Sequence, residues 1–248
     1  MYFDFEDVKV YYKVLKNDNS SLPPVLFLHG WGGGVSSFIY FAERLQIYRT
    51  CILLSFPPFK NSTEPLSPWD LPKYAKMTAS LMAHLGQTSC DIVAHSFGGR
   101  VAIELASSGS LQIRKLVLTA SAGIKTRSFK RNIKVAIYKA KKFLSKLHLY
   151  SANKLYRQGS SDYKNLSPTM KKTFSNIVLY NQRKMIKNIK CPTLLFWGEK
   201  DKDTPFYFTN IFKKHINNCG VIKVSGGHFA YIEHAKLFLS VLISFLKE

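Results

Sequence analysis

Six short apolar runs, separated by stretches of helical periodicity, constrain this 248-residue chain more than any other feature. They are Val25 to Leu28, Thr50 to Leu54, Asp91 to Ala94, Lys115 to Thr119, Thr193 to Trp197 and Val221 to Val224. Each is too short for a helix, and runs like Val25-Leu26-Phe27-Leu28 suit strands covered on both faces. Between them, helical spacing is read over Phe38 to Ile47, Trp69 to Leu85, Phe97 to Ala106, Phe206 to His215 and Ile232 to Leu246. In the second of these, Leu71, Tyr74, Ala75, Thr78, Leu81, Met82 and Leu85 mark one face and Gly86 the stop. Strands alternating with helices need crossover connections, so the pattern predicts an α/β fold: a mostly parallel sheet with helices on both faces. Val8 to Val14 instead alternates at a period of two and ends in the polar turn from Asn17, which predicts an edge hairpin at the start.

From Gly123 to Lys190 the rhythm changes. No strand is read there. Ile133, Ala136, Ile137, Ala140, Leu144 and Leu147 predict a long amphipathic helix over 133–147, with further helices over Thr169 to Leu179 and Asn181 to Ile189. Residues 121–190 hold 18 Lys plus Arg against one acid, Asp162, so +17 of the formal charge of +21 lies in this insertion. Only 8 of the 36 basic residues are Arg, and Lys, Asn, Ile, Phe and Tyr are abundant together, as an AT-rich codon bias would produce. The functional alternative is attraction of anionic substrates or of an anionic membrane surface. Nucleic acid is not expected as a partner. The length suits one large domain, and no run reaches the roughly 18 apolar residues of a membrane span. Acids near Met1 do not resemble a secretion signal, and Cys51, Cys90, Cys191 and Cys219 form no C-x-x-C pair, so a reducing cytoplasm is expected.

The chemistry is concentrated after the apolar runs. Ala94-His95-Ser96-Phe97-Gly98 joins a strand to a helix, the context of a nucleophile elbow, with Ala94 where glycine is usual. His29-Gly30-Trp31-Gly32-Gly33-Gly34 follows the first run, and its backbone N–H groups, chiefly that of Trp31, can join the N–H of Phe97 in holding an oxyanion. The phosphate-binding patterns G-x-x-x-x-G-K-[ST] and G-x-G-x-x-G are absent. A serine hydroxyl is a weak nucleophile without a base, and the base needs an acid to fix its tautomer. Asp201, in the Trp197 to Pro205 segment, and His228, in Gly226-Gly227-His228-Phe229, each follow a later run. The order Ser96, Asp201, His228 is that of a Ser…Asp…His triad. His29 reads as a loop brace, His95 as a packing or loop-bracing residue, His215 and His234 as helix-face residues, and Trp197 as core. Trp31 divides evenly between core and acyl pocket, and Asp203 and Glu199 read as solvated acids.

On these motifs, in this order over most of its length, the chain resembles the α/β-hydrolase superfamily. The resemblance implies nucleophile Ser96, base His228, acid Asp201 and oxyanion donors Trp31 and Phe97. The family's acid precedes a proline by four positions, which prefers Asp201 to Asp203. It further implies a core of residues 1–122 and 191–248 and a helical, basic cap at 123–190, between the family's sixth and seventh strands. The expected activity is that of a serine hydrolase on a small to medium carboxylic ester or related acyl compound, through an acyl-enzyme. No metal or organic cofactor is called for. The same fold also carries C–C bond hydrolases and lyases, and a non-catalytic ligand-binding or anionic-surface-binding homologue is the other alternative.

Overall fold

A computed structural model describes residues 1–125 and 165–247. Eight strands form one sheet: β1 (Tyr2–Phe5), β2 (Val8–Leu15), β3 (Val25–Leu28), β4 (Cys51–Leu54), β5 (Ser89–His95), β6 (Gln112–Thr119), β7 (Thr193–Gly198) and β8 (Cys219–Val224). Their order is β1-β2-β4-β3-β5-β6-β7-β8. The β1–β2 hairpin and the β2–β4 pair are antiparallel, and every pairing from β4 to β8 is parallel. The expected edge hairpin is thus present, and the crossover rule accounts for the rest.

Every strand residue of β3 and β4 is buried, and alternate positions serve opposite layers. Leu26, Leu28, Ile52, Leu54, Ile92, Leu116 and Trp197 pack on the face covered by α2 (Leu71–His84), α3 (Phe97–Ser108) and α5 (Phe208–His215). Val25, Phe27, Leu53, Val93, Val117 and Phe196 pack on the opposite face, against α1 (Ile39–Leu45) and α7 (Ala235–Leu246). This is why the runs read as continuous rather than alternating: both pleat directions find apolar partners. Asp70 caps α2 by accepting from the Lys73 N–H at 3.0 Å, with Pro72 in the first turn, and Gly109 at φ 72° ends α3.

The last helix departs from the reading over Ile232 to Leu246. It is two pieces, α6 (Ala230–Glu233) and α7, broken at His234 (φ −117°, ψ 42°). The His234 ring makes a 2.9 Å hydrogen bond to the Ser225 carbonyl, so it braces the loop before the break rather than lying idle on a helix face. Asn181 to Ile189 is not an α-helix; only a 3₁₀ turn at Ile186–Asn188 forms. There the Gln182 N–H donates to the Gly123 carbonyl at 2.9 Å and Asn181 Oδ1 accepts from the Arg183 N–H at 3.3 Å, a local turn that competes with helix formation. The helix expected over Thr169 to Leu179 is present as α4 (Pro168–Leu179), with Ser167 as its cap. The helix expected over 133–147 lies outside the described residues, as does most of the basic 123–190 insertion.

At the amino end of the sheet, Asp91 is fully buried between two guanidinium groups. Arg49 Nη2 donates to Oδ2 at 2.8 Å, and Arg114 donates to Oδ1 at 2.9 Å and to Oδ2 at 2.5 Å. Both arginines also donate to the Leu246 carbonyl, at 2.7 and 3.0 Å, tying the end of α7 to the sheet. Breaking a buried pair strands the surviving charge, which typically costs 3–5 kcal/mol. Asp91→Ala is therefore expected to lower stability by about 3–5 kcal/mol. Urea unfolding measures it, and an unchanged midpoint would contradict the assignment.

Candidate active site

The loops at the carboxyl ends of the parallel strands meet over β3 and β5, where sites lie in open α/β sheets. Ser96 sits between β5 and α3 at φ 50°, ψ −106°, a conformation that non-glycine residues rarely adopt. Its backbone is held from both sides: its N–H donates to the Thr119 carbonyl at 3.2 Å, and its carbonyl accepts from the Ala122 N–H at 3.1 Å. The turn also depends on Gly98 and Gly99. A Cβ at Gly98 would run into the Leu28 carbonyl, and one at Gly99 into the Ser121 side chain. The glycines therefore let α3 close onto the sheet with the serine at its tip.

Ser96 Oγ lies 3.0 Å from His228 Nε2, and His228 Nδ1 lies 2.9 Å from Asp201 Oδ2. A carboxylate can only accept, so Nδ1 carries the imidazole proton and Nε2 is left to accept from the serine hydroxyl. Asp201 follows β7 and is buried. Its Oδ1 accepts from the N–H groups of Asp203 and Thr204 at 2.8 and 2.9 Å, and its Oδ2 lies 2.8 Å from the Thr204 hydroxyl. Burial by itself raises the Asp201 pKa, but the hydrogen bonds from His228 and Thr204 outweigh it and hold the carboxyl below its ordinary value. The Thr204 hydroxyl also lies 3.0 Å from the Ala120 carbonyl and 3.4 Å from His228 Nδ1. Thr204 was not singled out from the sequence; the signal for it is the Asp-x-Asp-Thr spacing, which lets an aspartate side chain accept from the backbone two and three residues on.

Asp201, Asp203 and His228 bring potential metal ligands within 4.8 Å of one another. Both Asp201 oxygens and both His228 nitrogens are already engaged in the hydrogen-bonded chain, so the set reads as a proton relay rather than a metal centre. Asp203 itself is exposed, as expected, and Glu199 pairs with Lys223 at 3.1 Å on the surface.

The N–H of Phe97 opens α3, where no intrahelical acceptor exists. Among the described residues neither it nor the Trp31 N–H makes a hydrogen bond. Both residues line the same cleft as Ser96 and His228, about 700 Å³ in volume. Its wall is mostly apolar: the Trp31 ring packs edge-on against Phe59, Phe97 and Phe174, and α4 adds Ile177 and Val178. Trp31 is thus a half-buried pocket residue. Trp197 is core, its indole N–H donating to the Thr204 carbonyl at 2.7 Å.

His29 and His95 are braces. His29 Nδ1 donates to the Gly30 carbonyl at 2.7 Å, and its Nε2 accepts from the Phe56 N–H at 2.8 Å. His95 Nε2 donates to the His228 carbonyl at 3.0 Å, which fixes the loop carrying His228. Burial lowers the His29 pKa to about 4 and the His95 pKa to about 3, against an ordinary 6.5. Protonation would also turn His29 Nε2 into a donor facing an N–H. Both rings stay neutral in the folded protein while the unfolded chain takes up their protons near pH 6.5, so their contribution is present above that pH and lost as pH falls. Stability is expected to decline from about pH 6.5 towards pH 4 by roughly 1.4 kcal/mol per pH unit for each ring. Urea titrations across this range check it. The His29→Gln, His95→Gln double variant should show a shallower decline, and an equal slope would refute the account.

Comparisons with known proteins bear on the fold. A family profile described as the alpha/beta hydrolase fold matches residues 23–136. Lipase 3 of Moraxella sp. (strain TA144) is 24% identical over 241 residues, covering 89% of this chain and 76% of that protein. The pimeloyl acyl-carrier-protein methyl ester esterase of Wigglesworthia glossinidia brevipalpis is 33% identical over 99 residues, 39% of this chain and 37% of that protein. Among solved structures, the enol-lactonase from Burkholderia xenovorans LB400 superposes with a TM-score of 0.78 at 16% identity, covering 100% of both chains. The chain has the α/β-hydrolase fold, and the relatives it resembles are named as lipases and esterases.

Proposed function

We propose that the protein is a serine hydrolase that cleaves small to medium carboxylic esters through an acyl-enzyme, with Ser96 as nucleophile, His228 as general base and acid, and Asp201 as the acid that orients and stabilises the imidazole. The observation that carries this reading is the unbroken chain of hydrogen bonds from Asp201 through His228 to Ser96, ending in a cleft with two unengaged N–H groups. Ser96 Oγ attacks the ester carbonyl while Nε2 takes its proton, and Asp201 stabilises the resulting imidazolium. The carbonyl oxygen, now negative, is held by the N–H groups of Trp31 and Phe97. As the C–O bond breaks, His228 returns the proton to the departing alkoxide. Water then attacks the acyl carbonyl as it gives a proton to Nε2; the bond to Oγ breaks, His228 returns the proton to Ser96, and the carboxylic acid leaves. No step calls for a metal or an organic cofactor.

The choice of an ester rests on the apolar lining and on a volume within the range of small-molecule sites, and it accords with relatives named as a lipase and a methyl ester esterase. Residues 123–190 are read as a cap over the cleft, of which α4 already supplies wall residues Phe174, Ile177 and Val178. The enzyme is placed in the cytoplasm, a reading supported by four free cysteines; among the described residues no helix is long and apolar enough to cross a membrane. A fluorophosphonate probe tests the central point, because it reacts only with an activated serine. Labelling of the wild type that disappears in Ser96→Ala is expected. An unlabelled wild type would overturn the reading.

A further inference from the structure

Arg100, one helical turn beyond Ser96 on α3, lines the cleft although it is only 9% exposed. A guanidinium this enclosed normally faces a carboxylate. Among the described residues Arg100 has none. Its Nη1 donates to the Ile177 and Tyr180 carbonyls, both at 3.0 Å, the free end of α4, where a cation is favoured by the helix dipole. Its Nε and Nη2 groups make no hydrogen bond there. Arg100 itself lines the cleft, so its remaining donors border that space. Burial without a compensating anion lowers the Arg100 pKa to about 10, which still leaves it charged at neutral pH. The cleft therefore contains a fixed, desolvated cation with donors to spare, close to the nucleophile.

We infer that Arg100 receives an anionic group, a carboxylate, carried on the acyl part of the substrate, so that the preferred esters are those of dicarboxylic acids. This deepens the proposed ester hydrolysis and rests on it. Four residues of helix rise about 6 Å, so the carboxylate and the reacting carbonyl are separated by a few methylene groups. Trp31, Phe97 and Ile177 line the same cleft and supply apolar contact for such a chain. The binding differs in kind from attraction by surface lysines: a pair formed in an enclosed site is poorly screened, whereas long-range steering fades with salt.

The experiment compares kcat/KM for the p-nitrophenyl monoesters of glutaric and adipic acid with that for p-nitrophenyl valerate and hexanoate, in wild type, Arg100→Lys and Arg100→Met, at low and high salt. The quantity read is the ratio of anionic to neutral ester within each variant, which cancels any general damage from loosening α4. A ratio of about 10 or more is expected in the wild type, from the ordinary strength of a charge-assisted hydrogen bond. It should be largely insensitive to salt, retained in part by Arg100→Lys and lost in Arg100→Met. A wild-type ratio near 1 with neutral esters still turned over overturns the inference and leaves the hydrolase reading standing. A ratio that collapses with salt, or survives in Arg100→Met, assigns the preference to surface charge and also overturns it. If no ester is turned over and Ser96 takes no fluorophosphonate, the catalytic reading fails, and calorimetry with glutarate and adipate decides the binding claim: heat in the wild type that is absent in Arg100→Met supports it, and no heat in the wild type refutes it.

Discussion

Ser96→Ala is expected to lower ester turnover by a factor on the order of 10⁴ or more while leaving the fold intact. Alanine keeps the Cβ and with it the backbone conformation at φ 50°, so the elbow is neither relieved nor further strained. The N–H of residue 96 still reaches the Thr119 carbonyl, and Gly98 and Gly99 still admit α3. What disappears is the one atom that can form the acyl-enzyme, together with the proton shared with His228 Nε2. The residual rate would come from the Trp31 and Phe97 N–H groups and from binding alone. The check is p-nitrophenyl butyrate hydrolysis alongside a circular dichroism melt. A folded variant working at the wild-type rate would remove Ser96 from the mechanism.

Asp201→Asn is expected to cost turnover by about 10⁴ as well, whereas Asp203→Asn should change it only a few-fold. The asparagine oxygen can take the place of Oδ1 and keep the bonds from the Asp203 and Thr204 N–H groups. Its amide nitrogen then faces His228 Nδ1, which must give up its proton to accept. The proton moves to Nε2, and Nε2 can no longer receive the serine hydroxyl's. Asp203 is exposed, and the group it supplies to the chain is its backbone N–H, which the substitution leaves untouched. Equal losses at the two positions, or a larger loss at 203, would reverse the assignment. A steady-state comparison of the two variants on one ester distinguishes these results.

The parallel sheet was legible because each strand is buried on both faces and each connection is long. Alternate residues such as Leu26 and Phe27 go to opposite cores, yet both are apolar, so the run stands out from its polar flanks. The order Ser96, Asp201, His228 was equally legible, since each follows an apolar run and the carboxyl ends of parallel strands share one edge. What was not legible depends on contacts between distant segments. The break at His234 is braced from Ser225, and at the start of Asn181 to Ile189 the Gln182 N–H is drawn to the Gly123 carbonyl. Local periodicity contains neither. The position of Arg100 was hidden for the same reason: it is one more polar residue on a helix until α4 is laid against it.

The Ser96–His228 hydrogen bond joins residues 132 positions apart, and Asp201 lies between them in sequence. β3, β4, β5 and β6 can build the elbow and its glycine turn from the first half of the chain, but the base arrives only after β8 has paired with β7. During synthesis, which proceeds from the amino end, the emerging chain therefore carries a serine with ordinary alcohol reactivity. On the proposed mechanism, the nucleophilicity of Ser96 waits on the loop after β8 that carries His228. Recovery of ester hydrolysis on refolding is then expected to follow the pairing of β8 with β7 rather than the burial of the core.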